Sequence, residues 1–170
     1  MPAAAPALPH PNPLLVGLIS DTHGLLRPQA LEMLQGSAHI IHAGDIGNRT
    51  GHHAGILETL ARIAPVTAVR GNNDRADWAD ALPASALLTF GGLRVHVLHI
   101  LGELALDPVA AGIRVVVSGH SHRPEIETRA GVLYVNPGSA GPRRFKLPVS
   151  LARLWVSGES VRAELIELDS

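Results

Sequence analysis

The chain alternates short apolar runs with tight clusters of Asp, His, Asn and Gly. Residues 14–20 (LLVGLIS) form the first run, which stops at Asp21-Thr22-His23-Gly24. A run this short and apolar predicts a buried strand followed by a polar loop. Residues 28–35 carry apolar positions at helical spacing, with Pro28 acceptable in a first turn and Gly36 as a stop, so a helix is expected there. A brief strand at 39–42 runs into Ala43-Gly44-Asp45, and a helix is expected over 54–63. The strand expected at 66–69 ends in Arg70-Gly71-Asn72-Asn73-Asp74. Residues 86–90 and 93–98 flank Gly91-Gly92, a pair that permits the positive φ of a hairpin turn. The run 113–117 leads into Ser118-Gly119-His120-Ser121-His122, and strands at 125–129, 132–135, 149–156 and 161–167 complete the pattern.

Early strand–helix alternation followed by a series of strands predicts an α/β protein, with two sheets packed face to face and helices outside. In such folds ligands gather beyond the carboxyl ends of strands, where loops far apart in sequence can meet.

Composition narrows the chemistry. The 170 residues suit one domain, expected over 14–170, after a Pro/Ala-rich tail over 1–13 that holds five prolines and is expected to be disordered. That tail shows neither the basic n-region nor the apolar core of a signal peptide, and no apolar run is long enough for a membrane span. A cytoplasmic location is expected. The formal net charge of −1 and the lack of a Lys/Arg stripe argue against strong nucleic-acid binding. Cysteine is absent, so any metal must be held by His, Asp, Glu or Asn, and there are ten histidines.

Five loops offer such donors. Asp21 and His23 stand two apart; Asp45 follows Gly44; Asn72, Asn73 and Asp74 follow Gly71; His99 closes the 93–98 strand; His120 and His122 flank Ser121. Hard oxygens and borderline nitrogens of this kind suit Mn, Fe, Co, Ni or Zn.

The order DxH, GD, GNxD, H, GHxH resembles the calcineurin-like metallophosphoesterases. The short chain with Asn136-Pro137-Gly138-Ser139 is similar to the small bacterial and archaeal phosphodiesterases of that superfamily. The resemblance implies a four-layer α/β/β/α sandwich of two packed mixed β-sheets flanked by helices. It implies two divalent cations, manganese above all, with Asp21, His23 and His122 on the first, Asn72, His99 and His120 on the second, and Asp45 bridging. A hydroxide shared by cations about 3.5–4 Å apart would attack phosphorus in line. The implied activity is a phosphodiesterase acting on a small-molecule phosphodiester, in a chain that can self-associate as a dimer or tetramer. The resemblance also sets Asn136–Ser139 against the metal site in a supporting role.

Two positions depart from the family pattern. Asn73 stands where larger members have a His that protonates the leaving group, so slower turnover and a preference for good leaving groups are expected. Ile100 stands where the family usually has Gly, so the loop after His99 must differ locally. Asn73 and Asp74 are the candidate catalytic residues outside the ligand set, and Asn72 and Arg143 the candidate substrate contacts, Arg143 through its planar fork.

The other histidines read as structural: His42 as a core group that orients ligands, His96 as facing away from Val95, Val97 and His99, and His52 and His53 as exposed. Two other readings stand beside phosphodiesterase. One is a protein-interaction scaffold, as in the eukaryotic scaffold subunit of retromer, which shares the fold; a complete set of seven ligands weighs against it. The other is a metal-dependent nuclease, against which the near-neutral charge weighs.

Overall fold

The computed structural model describes residues 12–53 and 55–169. Strands β1 (Leu14–Ile19), β2 (His39–His42) and β3 (Val66–Ala68) pair in parallel. Strands β4 (Ser85–Phe90) and β5 (Leu93–Leu98) form the expected hairpin. Then come β6 (Ile113–Val117), β7 (Glu125–Arg129), β8 (Val132–Asn136), β9 (Val149–Ser157) and β10 (Ser160–Leu168). They make two mixed five-stranded sheets, ordered β10-β9-β1-β2-β3 and β4-β5-β6-β8-β7.

Strict alternation along each central strand splits its side chains between two cores. β1 sends Val16 and Leu18 between the sheets and Ile19 to the outer face; β2 divides Ile41 from Ile40 in the same way. Val95, Val97, Val115 and Val117 meet them from the second sheet. Helices α1 (Pro28–Met33) and α2 (Ile56–Ala61) cover the outer face of the first sheet, where Ala30, Leu34, Ile56 and Leu60 pack with Ile19, Ile40 and Leu151. On the outer face of the second sheet, Leu98, Ile113, Val116 and Val132 lie with Leu101 and Leu104. The fourth layer there is a 3-10 turn, Leu101–Glu103, and the loop after it.

Both helices end sooner than their apolar spacing predicts. Amides of Gln35 and Ser37 bond to the carbonyls three residues back, as do those of Arg62 and Ile63, so the last turns tighten into 3-10 geometry. Ala54, the expected start of the second helix, lies outside the described residues, as does the expected tail apart from Asn12 and Pro13. No helix among the described residues is long and apolar enough to cross a membrane.

Six strands run in parallel sense, β1, β2 and β3 in one sheet and β5, β6 and β8 in the other. The candidate ligands all lie just beyond their carboxyl ends. The packed sheets therefore fix the positions of the loops. Leu154 is fully buried in the core between the sheets. Leu154→Ala is expected to cost about 2–5 kcal/mol, read by urea denaturation of the metal-free protein.

Candidate metal centre

The chain turns sharply at the end of each of these strands. Of the eight non-glycine described residues with positive φ, five are candidate ligands: Asp21 (φ 55), His23 (φ 45), Asp45 (φ 55), His120 (φ 69) and His122 (φ 60). Each such residue costs on the order of 1–3 kcal/mol and persists only where its surroundings hold it. Two glycines make room for the carboxylates. A Cβ on Gly71 would overlap Asp45, and one on Gly119 would overlap Ser20 and crowd Asp21.

Asp21 is fully buried. Its Oδ2 accepts from the Ser20 hydroxyl (2.6 Å) and the His120 amide (3.1 Å). Its Oδ1 has no hydrogen-bond partner among the described residues. Around that oxygen stand the Nε2 atoms of His122 (3.2 Å), His23 (3.7 Å) and His99 (3.9 Å). His23 Nε2 and His122 Nε2 lie 3.1 Å apart. Asp45 Oδ2 lies 3.3 Å from His99 Nε2 and 3.8 Å from His23 Nε2. Asn72 Oδ1 sits 3.0 Å from both His99 Nε2 and His120 Nδ1. Asp21, His23 and His122 thus form one group with metal-ligand geometry, and Asp21, Asp45 and His99 a second that adjoins Asn72 and His120.

The tautomer of His99 tests whether a cation fits. Its Nδ1 lies 2.7 Å from the Ala43 carbonyl, which can only accept, so Nδ1 carries a proton. A neutral ring then turns the bare lone pair of Nε2 toward the carboxylates of Asp45 and Asp21. That is repulsive unless a second proton or a cation stands between them. Burial opposes charge on His99, but the hydrogen bond to Asp45 and the charges of both carboxylates outweigh it and raise its pKa. Burial likewise opposes ionisation of Asp21 and Asp45. It is outweighed by His122 and His99 at Asp21, and by His99 and Asn73 at Asp45, so both carboxyls titrate below the usual range. The donor set is charged and convergent, and a divalent cation fits it. Ile100 does not disturb this arrangement: its backbone is extended (φ −108), a conformation natural to a β-branched residue.

Asn73 clasps Asp45: its amide N–H donates to Oδ1 (2.8 Å) and its side-chain Nδ2 to Oδ2 (2.9 Å). Asp74 is fully buried, and its two oxygens accept the amides of Gly71 (2.8 Å) and Gly47 (3.1 Å), bracing the 71–74 turn. Asn136 Nδ2 donates to the Gly119 carbonyl (3.0 Å), and Ser139 Oγ to the Asp21 carbonyl (2.9 Å). Arg143 and Arg144 are exposed on the loop that follows, and the charge of Arg144 helps, after burial, to depress the pKa of His23. His53 is half-buried against Trp78 (ring centroids 4.3 Å apart), whereas His52 is exposed. Ser20 and Thr22 are supports that the sequence pattern did not single out. Thr22 Oγ1 lies 3.0 Å from His42 Nε2, while His42 Nδ1 accepts the Gly44 amide.

Residues 14–159 match the model of the calcineurin-like phosphoesterase superfamily domain. A probable metallophosphoesterase of Methanothermobacter thermautotrophicus is 34% identical over 167 residues, which cover 90% of this chain and 92% of the relative. A solved archaeal phosphodiesterase superposes with a TM-score of 0.72 at 20% identity, covering 90% of this chain and 100% of that one. Vps29 of Chaetomium thermophilum gives 0.70 at 21% identity, covering 90% and 95%. At such identities the solved structures report the shared fold. The chain belongs to the calcineurin-like phosphoesterase superfamily.

Beneath the ligands, burial pushes the pKa of His42 down to about 3. The folded protein leaves this ring neutral, whereas the unfolded chain protonates it below about pH 6.5. Its contribution to stability is complete above pH 6.5 and is lost as pH falls toward 3. His23, His39 and His96 are shifted in the same direction by burial and add to the slope. In metal-free His42→Gln, the fall in unfolding free energy between about pH 6.5 and 4.5 should be shallower by up to ~1.4 kcal/mol per pH unit. Urea titrations across that window test it; an unchanged slope contradicts it.

Proposed function

We infer that this superfamily member is a dinuclear metal-dependent phosphodiesterase. Asp21, His23 and His122 hold one cation, Asn72, His99 and His120 the other, and Asp45 lies between them. The observation that carries this reading is the buried, unpartnered Asp21 Oδ1 facing three imidazole Nε2 atoms. Divalent cations bound there supply Lewis-acid neutralisation of phosphate oxygens and water acidic enough to attack phosphorus near neutral pH. Manganese is the expected metal, and iron, zinc, nickel or cobalt suit the same donors.

The chain's own residues orient this chemistry. Ser20 and the His120 amide hold Asp21 Oδ2, which leaves Oδ1 for the cation side. Asn73 fixes the plane of Asp45 through both oxygens. Asn72 contributes an uncharged oxygen and, being exposed, also meets the incoming ester. Arg143 offers its fork to a phosphate oxygen from the 141–148 loop. Because Asn73 has no proton to give near pH 7, the leaving oxygen departs without a side-chain acid, which favours esters with good leaving groups. Likeness of fold to Vps29 is compatible with a protein-interaction role, and hydrolysis by the metal-loaded protein separates the two readings.

After metal removal, added Mn²⁺ should restore hydrolysis, with bis(p-nitrophenyl) phosphate cleaved faster than p-nitrophenyl phosphate. His122→Ala should lower kcat/KM by about 100-fold or more and reduce bound metal from two ions toward one. Full activity with full metal content in that variant would sink the assignment.

A further inference from the structure

A cavity of about 480 Å³ opens on the ligand cluster, with Asn72 and His99 forming part of its wall. Beyond them Leu98, Ile100, Leu104 and Ala105 give an aliphatic stretch of wall, with Arg70 and Glu103 also on the lining. His96 interrupts it. Alternation along β5 sends Val95 and Val97 into the core between the sheets and turns His96 to the other face. His96 is only 8% exposed, and no hydrogen bond ties its ring to a described residue. A second cavity, of about 290 Å³, is lined by His120 on the opposite flank of the cluster. Glu125, Glu127, Arg129 and Tyr134 also line it. Ile100 lines both cavities and forms the wall they share.

We propose that the 480 Å³ cavity receives an aromatic or aliphatic arm of the phosphate ester, that Ile100 keeps this arm out of the smaller neighbouring cavity, and that His96 supplies its hydrogen-bonding contact. The inference rests on the metal-centre reading, because phosphorus must lie beside Asn72 and His99. An ester substituent leaving phosphorus on that side enters the cavity within a bond or two, and its apolar surface leaves water for aliphatic walls. The His96 ring faces the cavity, where one nitrogen can donate to, and the other accept from, a hydroxyl or ring heteroatom on the arm. A glycine at position 100 would have no side chain to divide the two spaces, so the division rests on the Ile100 side chain.

The test uses phosphonates, whose P–C bond is not hydrolysed, so binding is read without turnover. Calorimetry of the full chain loaded with Mn²⁺ should show phenylphosphonate binding at least about tenfold tighter than methylphosphonate, which carries the same phosphonate head without the ring. Ala105→Trp, which fills the cavity from an exposed loop, and Ile100→Gly, which removes the wall, should each narrow that ratio toward one. Equal binding of the two phosphonates to the unmodified chain overturns the cavity assignment and leaves the metal centre standing. So does a tenfold ratio that neither substitution changes, because the ring then binds elsewhere. If both metals bind and neither phosphonate does, this inference fails alone; if no metal binds, the metal-centre reading fails and this inference fails with it.

Discussion

The structure depends on gathering two buried carboxylates, Asp21 and Asp45, within reach of the imidazoles of His23, His99 and His122. Burial alone would neutralise such acids. Here imidazole nitrogens, a serine hydroxyl and backbone amides hold them ionised, yet Asp21 Oδ1 is left without a hydrogen-bond partner among the described residues. A buried anionic oxygen in that state calls for a cation. Much of the surrounding architecture provides a place for one.

The cost of that place is visible in the backbone. Five ligand residues adopt left-handed conformations that side chains resist, and each is held by what lies beneath. Two sheets present the carboxyl ends of six parallel strands at one end of the molecule. Gly71 and Gly119 let neighbouring loops press onto Asp45 and Asp21. Asn73, Ser20, Ser139 and Asn136 then fix the ligands by hydrogen bonds, so the strain of each turn is shared across a network rather than borne by one loop.

The ligand loops were legible in the sequence because each breaks an apolar run with residues that have no place in a core. The strands were legible because their runs are short and their alternation is strict. What stayed hidden depends on partners distant in sequence. Asn73 reads as a catalytic position, but its hold on Asp45 spans 28 residues and has no local signature. Thr22 looks like an ordinary strand-end residue until His42 arrives from elsewhere, and the Ser20 hydroxyl shares Asp21 Oδ2 with the amide of His120 from a distant loop. Alternation turned His96 away from Val95 and Val97, but it also set His96 apart from His99, and the two line one cavity. The helix ends were overextended because apolar spacing continues past the point where hydrogen bonding tightens to 3-10. The thin layer over the second sheet carries no helical or strand period to read.

Anomalous diffraction from crystals of the Mn²⁺-loaded protein tests the central claim most directly. Two peaks about 3.5–4 Å apart are predicted. One should be bound by Asp21, His23 and His122, the other by Asn72, His99 and His120, with Asp45 touching both. A single peak, or peaks away from these side chains, would contradict the account.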